Sequence, residues 1–240
     1  MIAPMIHRRL RRDDLARLVA AISRIDPVAA SPAARALHRG AVDQLLDLPA
    51  ALTAVRGNGG PPAPLPMSLL WYVPIRAALV ERGFEDIQLA DFAATLPVTF
   101  VSTRVVRRVD RGQPSLVRWT RAIAALPPNT VARGERSIFC GALALWWAGC
   151  FPERVTRRGG PGMIRAYVDF AVAALAQGGA LLRGQQVDAE VYVGAARHSD
   201  TIRHVLTEVR QDYLGRDAHT ARGRIDRWLA RLRPATGPSD

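Results

Sequence analysis

The chain reads as an all-α protein, a single globular domain of about eight or nine helices packed around one buried apolar helix. Three observations predict this. Apolar residues recur at helical spacing over most of the sequence, with Asp, Ser, Gly and Pro where helices begin and end. The longest uncharged apolar run, Ile138 to Phe151, covers 14 residues, which is short for a bilayer span and suits a buried helix. The one β-branched stretch, Val98 to Val109, has no evident partner strand, so it is assigned to helix.

Asp13 or Asp14 caps a first helix with Leu15, Leu18, Val19 and Ile22 on one face, and Asp26-Pro27 ends it. Ser31-Pro32 opens a second, with Leu37, Val42, Leu45, Leu46 and Leu52 as its stripe and a break at Pro49. Arg56 to Pro66, RGNGGPPAPLP, is a flexible surface loop inside one domain spanning residues 1–233. Ser68 to Arg82 is a helix carrying Trp71, Tyr72, Ile75 and Leu79, with Gly83 after its end. Asp86 to Leu96 is a short helix that Pro97 divides from Val98 to Val109.

Ser115 caps a helix to Leu126. Arg133 to Phe151 is apolar nearly all round, which predicts the central helix, with Ile138, Leu143, Leu145, Trp146 and Phe151 buried. Gly159-Gly160-Pro161-Gly162 is a turn that launches Met163 to Ala176, and Gly178 to Val187 is a loop. Glu190 to Leu214 and Ala218 to Leu232 are the last helices, and residues 234–240 form a disordered tail.

Composition removes several classes of chemistry. All 33 basic side chains are arginine, against 21 carboxylates, for a net charge of +12. No side-chain amine exists for a Schiff base or a phosphate-loop lysine. Hydrophobic residues make up 49%, enough for a packed core and too many for a disordered chain. The halves of the sequence are equally basic, +6 each, with 16 arginines against 10 acids and then 17 against 11. Cys140 and Cys150, ten residues apart on one helix, are about 15 Å apart and do not bridge. Arginines near the N-terminus precede no long apolar region, so no secretory signal is expected and the expected location is the cytoplasm.

Four constellations bear on function. Arg197, Asp200, His204 and Glu208 form a column on one helix. Asp200, His204 and Glu208 are a conceivable metal triad, but Ile202, Val205, Leu206 and Val209 occupy the opposite side, so a solvated ladder without metal is expected. Arg157-Arg158-Gly159-Gly160-Pro161-Gly162 runs into a helix N-terminus, and with Arg154 this is an anion-binding candidate. Glu135 and Arg136, with Trp146 and Trp147 on the same helix, are pocket-lining candidates. Arg104, Arg107, Arg108 and Arg111, with Arg118 and Arg121 following, are spaced to contact phosphates, and arginines 8–12 and 222–233 form two further clusters.

These features favour a non-catalytic binding or adaptor protein that turns an arginine-rich surface to an acidic partner: a polyanion, nucleic acid or acidic protein. The alternative is an α-helical enzyme with a small-molecule pocket beside helix 133–151. No cofactor and no integral membrane association are expected.

Overall fold

The computed structural model describes residues 6–56, 65–101, 115–185 and 188–214. Among them every regular element is a helix. The segments number more than the eight or nine expected, because two expected helices are divided and two short ones, Ile6–Arg9 and Pro152–Gly159, are added.

The first part of the chain forms α1 (Ile6–Arg9), α2 (Arg12–Ile25), α3 (Pro27–His38), α4 (Val42–Leu46) and α5 (Pro49–Arg56). Asp26-Pro27 both closes α2 and opens α3. The Asp26 carboxylate accepts from the N–H groups of Val28 and Ala29, and Pro27 takes the first helical position, where its missing N–H costs nothing. Ser31-Pro32 is therefore inside α3 and not at its start. The stripe expected on one helix is split at Gly40 (φ +70°) and at Pro49.

The second part is α6 (Met67–Val80) and α7 (Ile87–Val101), joined by a turn in which Gly83 has φ +79°. Pro97 does not divide α7. Leu89, Phe92, Leu96 and Phe100 are all buried along one side of it, so packing across the proline outweighs its lost hydrogen bond, a cost of about 3 kcal/mol. Residues 102–109 of the expected helix lie outside the described residues, as do the loop core at 57–64, Ala218 to Leu232 and the tail.

The third part is α8 (Leu116–Ala124), α9 (Val131–Cys150), α10 (Pro152–Gly159), α11 (Gly162–Leu182), α12 (Glu190–Arg197) and α13 (Ser199–Leu214). Ser115 caps α8 and Thr130 caps α9 through their hydroxyls. Glu190 to Leu214 is two helices, broken at His198. Pro152 ends the central helix by starting another.

Helix α9 is the centre, and its residues 140–150 are all buried. It packs most extensively against α11, which runs antiparallel to it. The glycines show how. A Cβ on Gly134 would meet Leu181 and Leu182, one on Gly141 would meet Leu175 and Ala171, and one on Gly178 would meet Ile138. Gly178 and Gly179 therefore continue α11 to Leu182, where a loop was expected, because close packing against α9 and α12 needs residues without side chains. At its other end α9 packs on α13, where Gly149 lies against Leu206 and Thr207 donates to the Gly149 carbonyl at 2.9 Å. Helices α6 and α7 pair with each other and close the core against α9, α12 and α13. No described helix is long and apolar enough to cross a membrane.

Candidate functional site

The charge that looks even along the sequence is uneven in the fold. Residues 115–185, which form α8 to α11, carry nine arginines and three carboxylates, a balance of +6. Residues 65–101 and 188–214 together carry five arginines and nine carboxylates, a balance of −4. The basic helices converge at one end of the α9–α11 pair. Helix α8 buries Ile123 and rests Trp119 against Tyr167 and Phe170 in the first half of α11, with ring centroids 5.7 and 5.9 Å apart. This leaves Arg118 and Arg121 on its exposed side, beside Val117. Helix α10 folds back on the same first half of α11, with Arg157 exposed.

Both carboxylates at this end are engaged. Glu153 holds the buried Arg210 of α13 at 2.7 Å, and Asp169 holds Arg165 at 2.9 Å. Among the described residues no carboxylate pairs with Arg118, Arg121 or Arg157. An Arg has five donors and a charge present at any cellular pH, so this end is a ready receptor for anionic oxygens.

The sequence candidates fall in different places. Arg104, Arg107, Arg108 and Arg111 lie outside the described residues, in the segment that leads into α8. Arg154 is half-buried, with its guanidinium 5.6 Å over the Phe151 ring. Arg157 and Arg158 lie on α10 and not in a loop. The glycine turn after them is filled from inside, because a Cβ on Gly159 would strike the Met163 side chain. Gly160 then takes φ +82° and turns the chain into α11.

The pocket candidates are not brought together. Glu135 and Trp146 are eleven residues apart on α9, about 16 Å along its axis. The charge of Glu135 reaches Tyr192 on α12, and that of Arg136 reaches Cys140. Trp146 and Trp147 instead meet Phe151, and Trp146 meets Phe100, at centroid distances from 4.9 to 5.3 Å, as one closed aromatic cluster.

The column is an ion-pair ladder with one long-range rung. Asp200 lies 3.0 Å from Arg203 and 3.6 Å from His204. Glu208 pairs across to Arg82 after α6. No three described His, Cys, Asp or Glu side chains converge as metal ligands would.

Sequence reasoning missed a second polar cluster, where α1, α4, α6 and α7 meet. The backbone N–H of His7 donates to the Asp91 carboxylate at 2.7 Å, and the imidazole Nε2 of His7 lies 2.8 Å from Asp43. Arg76, nearly buried, grips Asp47 with two nitrogens at 3.1 and 3.3 Å and donates to the Glu85 carbonyl at 2.6 Å. The Tyr72 hydroxyl is buried without a hydrogen-bond partner among the described residues. Burial, reinforced by the Asp91 charge, pushes its phenol well above the ordinary value. A signal was present: Asp43 and Asp47 are four apart, as are Tyr72 and Arg76. Each pair therefore occupies one helix face. The cluster joins the N-terminal helices to α6 and α7 and is built as a clamp, since the arginine's charge is consumed by its carboxylate.

Comparison with known proteins adds no relative: no family model, curated protein or solved structure matches this chain.

Proposed function

We propose that the protein is a non-catalytic binder of phosphate-bearing polyanions, which it engages through the arginine-rich end formed by α8, α10 and the start of α11. One observation carries this reading: Arg118, Arg121 and Arg157 stand exposed there with no described carboxylate to neutralise them, while the carboxylates of that end are already paired. The planar guanidinium fork suits phosphate oxygens better than a point charge does. Contacts of this kind fix position without reading sequence, so the expected binding is tight at low salt and indifferent to base order.

The test is fluorescence anisotropy of the full chain against duplex DNA, single-stranded RNA and an acidic protein at several salt concentrations. Affinity for nucleic acid should fall with salt at a log–log slope of about −0.9 for each phosphate neutralised in a duplex. Changing Arg118, Arg121, Arg154 and Arg157 together to Gln should flatten that slope by about 3.6. Binding that survives the quadruple change would move the site elsewhere. No nucleic-acid binding at about 50 mM salt, where such contacts are strongest, would overturn the reading, and binding confined to the acidic protein would replace the ligand class.

A further inference from the structure

We infer that the outer face of α11 docks against the same face of a second copy of this chain, antiparallel, with the two-fold axis at Ala176. The inference does not rest on the polyanion reading, although its stripe begins at Arg165 and Asp169, at the start of α11.

Helix α11 is covered on three sides. Ala171, Ala174 and Leu175 meet Gly141 of α9; Gly179 meets Ala189 and Val193 of α12; Tyr167 and Phe170 meet Trp119 of α8. The fourth side carries Arg165, Asp169, Val172, Ala180 and Arg183, all exposed, with Ala176 half-buried at its centre, in steps of 4, 3, 4, 4 and 3 residues along the six. Those steps sum to five helical turns, so the six positions lie on one straight stripe. Between Phe170 and Leu182 α11 has no charged residue, yet Val172 is 38% exposed and Ala173 and Ala180 are open to solvent. A surface helix of this length ordinarily turns charge to water along its outer side.

What covers the stripe is indicated by its order. Counted from Ala176, the stripe has an apolar residue four positions away on each side, Val172 and Ala180. Seven positions away it has an acid on one side, Asp169, and a base on the other, Arg183. A two-fold axis through Ala176 therefore sets Val172 against Ala180 of the second copy, and Asp169 against Arg183 of the second copy, twice over. Self-complementarity of this kind is what an isologous contact requires. Alanine at the centre lets the two axes approach closely. The charges are free to exchange partners: Arg165 and Asp169 pair at 2.9 Å with 77% and 56% of their side chains exposed, and Arg183 and Glu190 pair at 3.2 Å with 64% each. In the dimer Asp169 takes Arg183 of the second copy, and the released Glu190 is brought toward Arg165.

One helix face is a small interface, so the dimer is expected to be micromolar. Sedimentation velocity of the full chain between about 5 and 200 μM spans such a dissociation constant. The expected result is a concentration-dependent monomer–dimer equilibrium. Ala180→Glu, at an exposed position and with a good helix former, should leave the circular dichroism unchanged and abolish the dimer. Asp169→Arg and Arg183→Asp should each weaken it by roughly tenfold, since each change turns two attractions into repulsions. Combining them should restore it. A wild-type chain that is monomeric at the highest concentration overturns the inference. So does a dimer indifferent to Ala180→Glu, or a charge-swapped double variant that associates no better than the singles.

Discussion

Gly178 lies so close to Ile138 that a Cβ on the glycine would stand 2.5 Å from Ile138 Cγ1 and 2.8 Å from the Gly134 carbonyl oxygen. The second contact matters more than the first. A side chain such as Ile138 can rotate, whereas the carbonyl belongs to the backbone of α9 and does not yield.

Gly178→Ala is therefore expected to force α9 and α11 apart and to destabilise the fold by about 3 kcal/mol. Gly194→Ala is the control. It lies inside α12 with nothing within 4 Å of the new methyl, so it should stabilise by roughly 0.4–1 kcal/mol. Urea unfolding followed by circular dichroism measures both, and opposite signs are the expected outcome.

Arg76 depends on Asp47. Replacing Asp47 by Ala leaves a nearly buried guanidinium with the Glu85 carbonyl as its acceptor and only the charge of Asp43, to which it is not hydrogen-bonded, to offset it. The expected loss is about 2–3 kcal/mol, below that of a fully buried pair because Asp47 is itself 41% exposed. Asp47→Asn keeps one acceptor and should cost less. Chemical denaturation of the two variants compares them directly.

Leu143 is nearly buried in the middle of α9. Leu143→Ala should cost about 2–5 kcal/mol. A midpoint of unfolding unchanged within error would mean that α9 does not centre the core.

Stability should fall in alkali. Burial pushes the Cys140 thiol up to about 11, and burial pushes the Cys150 thiol and the Tyr192 phenol up to about 12. In the unfolded chain thiols titrate near 8.5 and phenols near 10. Each group is neutral in the fold at a pH where the unfolded chain has already lost its proton. Its contribution is therefore complete below the unfolded value and is lost as pH rises toward the folded one. The urea midpoint should hold up to about pH 8 and decline between about 9 and 12. A disulfide-exchange reagent at pH 8 should find both thiols inert in the native protein and two reactive thiols in urea.

The fold class was legible because it rests on periodicity, and α9 was found within two residues at its start and one at its end. Boundaries failed where a local rule met tertiary packing. Pro97 breaks an isolated helix but not one whose two halves share a buried side. Gly178 and Gly179 read as a loop because the sequence does not show Ile138 and Tyr192 pressing on them. Of the candidate site, Arg154 and Arg157 were legible as anion-binding arginines, but their gathering with those of α8 on α11 was not. Arg118 and Arg121 form part of the basic end only because Trp119 anchors α8 on α11, a contact spanning 48 residues to Tyr167. The clamp at Arg76 was invisible for the same reason, since Asp47 is 29 residues away in the chain.

The closed aromatic cluster gives the protein a built-in optical reporter. Trp71, Trp146 and Trp147 are buried, so native emission should lie well to the blue of free indole. Trp146 and Trp147 occupy α9 itself, against Phe100 from α7 and Phe151 at the start of α10. Their spectrum therefore records whether the centre of the molecule is assembled, and it does so without a label. Separation of α7 from α9 would open the Phe100–Trp146 contact and redden the emission.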